Sequence, residues 1–312
     1  MSIAIAIGMY AVWSSVFSIA KIVLAYSSPI FLTGFRMLLA AVILLTYLAV
    51  AKRSAFKLQG RQFLSLVLLA FFSIYATNIL EFWAVQYMSA AKTCFIYSLS
   101  PFFAAFFSYL HFGEKMNPKK WLGLLLGFIG IIPVLTLQTG SEELLSAVGF
   151  ISWPALAIMG AALCSVYGWV LLRIVVRDQM ISPSMANGTS MLIGGIFALV
   201  HSFFAESWSP IPVTSGYLTP FLGWTLIMTL VFNILCYNLY GMMLKKFTAT
   251  FLSFIGLLSP IFASINGWLF LGEPFSWVIF LSTGIVSLGL WVVYSAELKQ
   301  GYIVKKDSLQ AA

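Results

Sequence analysis

Apolar residues run along this chain in long blocks broken by short polar stretches. A helix that crosses a bilayer needs roughly 20 mostly apolar residues. Ten blocks approach or exceed that length: 2–20, 29–50, 62–85, 89–112, 119–137, 149–172, 184–204, 218–242, 247–270 and 275–295. At membrane depth no water is available to the backbone, so each block is predicted to be a helix that satisfies its own peptide groups. The first block has no basic residue ahead of Lys21. It also outlasts the apolar core of a signal peptide, about 7–15 residues, and is expected to remain as a span.

Composition removes the soluble alternative. Hydrophobic residues make up 61% of the 312 and charged residues 8%, where a soluble domain carries about 25% charged residues. The net charge of +8 lies in short connections and forms no basic surface interleaved with aromatics, so nucleic acid is excluded as a partner. Cys94, Cys164 and Cys236 all fall inside apolar blocks, with the spacing of neither a disulfide framework nor a metal site. No metal and no cofactor is expected.

The charges orient the spans. Lys52, Arg53, Lys57 and Arg61 lie between spans 2 and 3, and Lys115, Lys119 and Lys120 between 4 and 5. Arg173 and Arg177 separate 6 from 7, Lys245 and Lys246 separate 8 from 9, and Lys299, Lys305 and Lys306 follow span 10. Fourteen of the 17 basic residues thus occupy alternate connections, and the positive-inside rule places both termini in the cytoplasm. The other connections include 138–148 and 205–217, which carry Glu142, Glu143 and Glu206 but no base.

The chain repeats itself. Ser100-Pro101, Gly113-Glu114 and Gly130 recur as Ser259-Pro260, Gly272-Glu273 and Gly289, each at an offset of 159. Asn78-Ile79-Leu80 recurs as Asn233-Ile234-Leu235 at an offset of 155. The predicted halves are 1–137 and 149–296, joined by an external linker at 138–148 and followed by a cytoplasmic tail at 297–312. Five spans per half is an odd number, so the second half enters the membrane inverted. The predicted fold is an all-α polytopic membrane protein, two inverted five-helix repeats around a central cavity, the plan of many secondary transporters. Pro101 and Pro260 fall at equivalent places within spans 4 and 9, where each removes a backbone hydrogen bond and breaks or kinks its helix. They are candidate gating elements.

The stretch from Trp83 to Val134, with Ala90-Ala91, Ser100-Pro101, Gly113-Glu114, Trp121 and Gly130, resembles the EamA domain of the drug/metabolite transporter superfamily. Trp13, Lys21, Pro29 and Arg36 near the start, and Ser259-Pro260 with Leu271-Gly272-Glu273-Pro274 near the end, are similar to it as well. The resemblance implies a basket of ten helices and transport of amino acids or other small metabolites in a bacterial inner membrane.

Apart from Lys119 and Lys120 at the edge of span 5, three charged residues lie inside spans: Arg36, Glu81 and Lys92. A charge at the bilayer centre is costly and usually faces a partner or a cavity. Glu81 and Lys92 are nearly equidistant from the turn at Gln86–Met88, so the hairpin is expected to bring them together, as a structural pair or as substrate ligands. Arg36 and Asn78, the latter one turn from Glu81, complete the polar candidates. With two cations beside it Glu81 is expected to stay ionised, which favours exchange over proton coupling. Tyr10, Trp13, Ser14 and Phe17 share one face of span 1, and Asn233, Tyr237 and Tyr240 one face of span 8. Such faces suit a flat or heteroaromatic ligand, and they also suit plain packing. Gly123 and Gly127 form a small-residue pair for close helix approach, while His111 and His201 belong at interfaces.

No His-Glu-x-x-His, nucleophile elbow or paired carboxylate occurs within the spans, so an integral-membrane enzyme is not expected. The tail Glu297–Ile303 is similar to the end of the carriers that exchange S-adenosylmethionine for S-adenosylhomocysteine in obligate intracellular bacteria. That resemblance implies the same exchange here, with amino-acid export as the alternative.

Overall fold

The computed structural model describes residues 3–51, 60–112, 116–137, 139–148, 151–177, 181–236, 239–240, 243 and 255–300. Ten helical segments order them: α1 (Ile3–Leu24), α2 (Pro29–Ala51), α3 (Phe63–Val85), α4 in two pieces (Ala90–Tyr97 and Ser100–Phe112) and α5 (Pro118–Thr136) form one series. The second is α6 (Trp153–Arg177), α7 (Pro183–Ala205), α8 (Leu218–Cys236), α9 (Ser259–Leu271) and α10 (Trp277–Gln300). Among the described residues nine spans are long and apolar enough to cross a membrane, and α9 is a shorter apolar helix.

Local chemistry sets the ends. Asn117 accepts a hydrogen bond from Lys120 N at 2.8 Å ahead of Pro118, and Ser182 accepts from Met185 N at 3.3 Å ahead of Pro183. Each places a capping oxygen on an orphan amide and a proline where its missing N–H costs nothing. Glu206 does the same from afar, its two oxygens accepting from Ile30 N and Phe31 N at 2.8 Å each. A carboxylate on the positive end of α2 is favourable both as a hydrogen-bond acceptor and as a charge.

The two series pack as an inverted repeat requires. In the α2–α7 contact Gly34 lies on Leu199, Gly195 on Leu38 and Gly188 on Leu45, so the numbers run in opposite directions. In the α5–α10 contact Gly130 meets Val286 and Gly289 meets Gly127. Adding or subtracting 159 turns one of these pairs into the other. Equivalent helices therefore cross antiparallel about a local two-fold axis. The remaining neighbours obey the same rule: α1 packs on α9 as α6 packs on α4, and α3 packs on α7 as α8 packs on α2. The close approach depends on glycine, since a Cβ at Gly289 would lie 2.7 Å from the Gly123 carbonyl oxygen.

Regular helix fails at matched places. α3 widens to a π-helix over Ala70–Ala76 and α8 over Met228–Cys236, a local unwinding often found near functional sites. α4 is interrupted by a turn at Ser98–Leu99 just before Ser100-Pro101, and the chain turns at Leu257–Leu258 just before Ser259-Pro260. In both, the proline sits in the first turn of the helix that follows, where a missing N–H is tolerated.

Candidate functional site

Arg36, in the second turn of α2, and Asn78 and Glu81, one turn apart on α3, come together where the sequence placed them. Arg36 is 5% exposed, Asn78 7% and Glu81 9%. The Arg36 guanidinium donates through Nη2 to Asn78 Oδ1 and lies over the Phe82 ring, 4.7 Å from its centroid. Asn78 Nδ2 donates to the Ile74 carbonyl at 2.7 Å. That carbonyl belongs to the π-turn, so the unwound stretch orients the amide that orients the arginine. Glu81 is within electrostatic reach of both Arg36 and Cys94.

Lys92 does not join them. Its ammonium donates to Glu142 Oε1 at 2.8 Å, Glu142 Oε2 at 2.9 Å and the Leu137 carbonyl at 2.6 Å, so all three protons are committed. The expected approach of Lys92 to Glu81 is corrected by helix geometry. Side chains tilt toward the N-terminus of their own helix. In an antiparallel hairpin, then, Glu81 on α3 leans away from the turn and Lys92 in the first turn of α4 leans past it. Only one of the two expected cations therefore faces Glu81.

Glu142 is what the sequence reading missed. Placed in an external linker among loop charges, it is fully buried. Besides Lys92 it accepts from Thr139 N, Thr139 Oγ1 and Ser152 Oγ at 2.5, 3.1 and 2.7 Å. The linker folds over the α3–α4 turn, with Ser141 N donating to Tyr87 O at 3.0 Å, and closes in a short antiparallel pairing of Ser146–Val148 with Ile151–Ser152. The one available signal was Lys92 itself, a buried base needing a carboxylate.

The same end of the molecule carries a second lock. Lys21 Nζ, on α1, donates to Glu273 Oε1 at 2.6 Å and to Met88 O at 2.8 Å. Glu273, after α9, also accepts from Ala90 N at 2.9 Å through Oε2. One carboxylate thus ties the α9 end to α1 and to the start of α4, joining the two series.

The aromatic residues form a wall next to the charges. Tyr10 stacks on Trp13 with ring centroids 6.3 Å apart, and Trp13 meets Tyr240 edge-on at 6.0 Å. Phe17 lies against Tyr97 at 6.2 Å. These residues and Phe82 belong to one apolar cluster, to which α2 and α9 also contribute. Ser14 turns away to accept from Asn266 of α9 at 3.3 Å. Asn233 of α8 donates to Met37 Sδ of α2 at 3.7 Å, and Tyr237 lies outside the described residues. His201 hydrogen-bonds the Tyr75 hydroxyl at 3.0 Å, and His111 packs edge-on against Tyr167 at 5.4 Å.

Nine membrane-length helices and one shorter apolar helix among the described residues, in two inverted series with broken helices at equivalent places and a charged cluster inside the apolar segments, define a polytopic helical membrane protein built as a secondary transporter. The chain belongs to the EamA-like transporter family, which matches residues 1–136 and 152–295. The family is one of transporters, not of enzymes. The chain is 39% identical to the S-adenosylmethionine/S-adenosylhomocysteine transporter of Chlamydia muridarum over 297 residues, 95% of this chain and 92% of that protein. The transporter of the same name from Chlamydia trachomatis serovar L2 is 38% identical over 95% of this chain and 90% of its own length. The uncharacterized transporter YvbV of Bacillus subtilis is 28% identical over 84% of this chain. A crystal structure at 16% identity superposes with a TM-score of 0.63 over 94% of this chain and 97% of its own, which shows a shared fold.

Proposed function

We propose that this protein exchanges S-adenosylmethionine for S-adenosylhomocysteine across the bacterial cytoplasmic membrane by alternating access. The observation that carries the reading is the 39% identity, over 95% of the chain, to a protein named for that exchange. The local chemistry agrees with it. Both molecules pair a zwitterionic amino-acid head with an adenine ring, and the site sets charged groups beside an aromatic wall. In this reading Arg36, Asn78 and Glu81 hold the head. Tyr10, Trp13 and Asn233 face the ring. Lys92, with its protons committed, holds the linker instead.

The basic connections support a reading with both termini in the cytoplasm, and with the 138–148 linker and the Lys21–Glu273 lock on the outer side. The halves 1–137 and 149–296 rock about the site, with Pro101 and Pro260 as hinges. The described conformation is then closed to the outside.

The test is uptake of radiolabelled S-adenosylmethionine by cells expressing the chain. Saturable uptake that is competed by unlabelled S-adenosylhomocysteine and accelerated by internal substrate is expected. Competition by leucine or threonine, without competition by S-adenosylhomocysteine, would show an amino-acid carrier and refute the proposal.

A further inference from the structure

We infer that the Glu81 carboxylate is the docking point for the primary ammonium of the substrate's amino-acid head, an assignment that rests on the exchange reading above. Glu81 is the one acidic residue inside the ten apolar blocks, and it is 9% exposed. Every other acid with a described side chain is supplied with donors from the protein. Glu142 takes its five from Lys92, Thr139 and Ser152. Glu206 takes two amides and the Ser202 hydroxyl. Glu273 takes Lys21 and Ala90 N. Among the described residues, no hydrogen bond and no ion pair reaches the carboxylate of Glu81.

A carboxylate left in that condition is unfavourable unless a proton or a cation enters to satisfy it. The chemistry narrows what that is. An ammonium brings a positive charge together with three N–H donors, which is what a carboxylate with unfilled lone pairs requires. A sulfonium brings charge without a donor. The Arg36 guanidinium, held by Asn78 and Phe82, is the positive pole nearby. The α-carboxylate, on the same carbon as the ammonium, is drawn to that side. The site then reads the head group that S-adenosylmethionine and S-adenosylhomocysteine have in common, so one carboxylate serves both directions of exchange. The second half offers no such pole, because Cys236 stands at the 155-residue offset from Glu81.

Ligand-induced thermal stabilisation of the purified full chain tests this, with Glu81→Gln and Glu81→Asp compared to the wild type. The ligands are S-adenosylmethionine, S-adenosylhomocysteine and methylthioadenosine, which keeps the adenosine but lacks the amino-acid head. Glu81→Gln is expected to weaken the first two alike, by at least about 30-fold, the lower range for removing one partner of a buried charge pair. Methylthioadenosine should bind unchanged, and Glu81→Asp should fall between. Weakening of S-adenosylmethionine alone would make Glu81 a sulfonium counter-ion, and weakening of neither would make it no ligand. Either result overturns the inference. If Glu81→Gln does not fold, Glu81→Asp decides, and equal weakening of all three ligands counts against the inference. If the wild type binds no S-adenosylmethionine, the exchange reading fails. Leucine and isocaproate, which differ in the amino group, then replace the pair. A preference for leucine erased by Glu81→Gln supports the ammonium site, and no preference refutes it.

Discussion

The buried pair of Lys92 and Glu142 makes the sharpest prediction, because it separates a structural lysine from a substrate ligand. Both side chains are 0% exposed. Replacing Lys92 by Met leaves Glu142 ionised, out of water and short of two of its five donors. Replacing Glu142 by Gln leaves an ammonium with no counter-charge. Removing one partner of a buried ion pair costs about 3–5 kcal/mol. A chain of this size shifts its midpoint by about 2 °C per kcal/mol, so each single variant should melt roughly 6–10 °C below the wild type. The double variant Lys92→Met, Glu142→Leu removes both charges and should recover most of the loss, since an apolar replacement of a buried pair is often close to neutral. The assay is detergent-solubilised protein heated at one fixed scan rate, with the surviving monodisperse fraction followed by size exclusion. Substrate affinity of the double variant should match the wild type. Single variants that melt within about 1–2 °C of wild type while losing substrate affinity would rule out a structural pair and return Lys92 to the binding site.

Two further outcomes follow from the packing. Glu273→Gln removes the charge that joins Lys21 to the start of α4. At about 1.5–3 kcal/mol for a charged hydrogen bond, and at the low end because Lys21 keeps 20% side-chain exposure, the population open at the linker end should rise about tenfold. Impermeant thiol labelling of a cysteine placed at Ala90 reads this directly, and unchanged labelling would show that the lock does not hold that end closed. Gly289→Leu drives a side chain into the Gly123 carbonyl, 2.7 Å from the Cβ position. Overpacking costs typically 1–3 kcal/mol, so the α5–α10 contact should loosen and the melting midpoint fall by about 2–6 °C. A midpoint equal to wild type would count against the close crossing.

The sequence determined the spans and the repeat, and it singled out Arg36, Asn78 and Glu81, which the fold gathers on facing helices. Apolar blocks of bilayer length admit only helices, and a constant offset of 159 between Ser-Pro, Gly-Glu and Gly ties two such series together without reference to any contact. Arg36, Asn78 and Glu81 were legible for the same reason: polar groups are so costly in hydrocarbon that each one present is conspicuous. What the sequence left open was which of them touch. Lys92 and Glu81 are symmetrically placed about a turn, yet opposite Cβ tilts send them apart, and direction is a property of the folded hairpin. Glu142 looked like one more loop charge until the linker was seen folded over the α3–α4 turn. Lys21 and Glu273 are 252 residues apart and meet because the two series interlock. Hydrophobicity is written residue by residue, so a sequence declares it. The pairing of charges depends on distances of a few ångströms between distant segments, and only the tertiary structure fixes those.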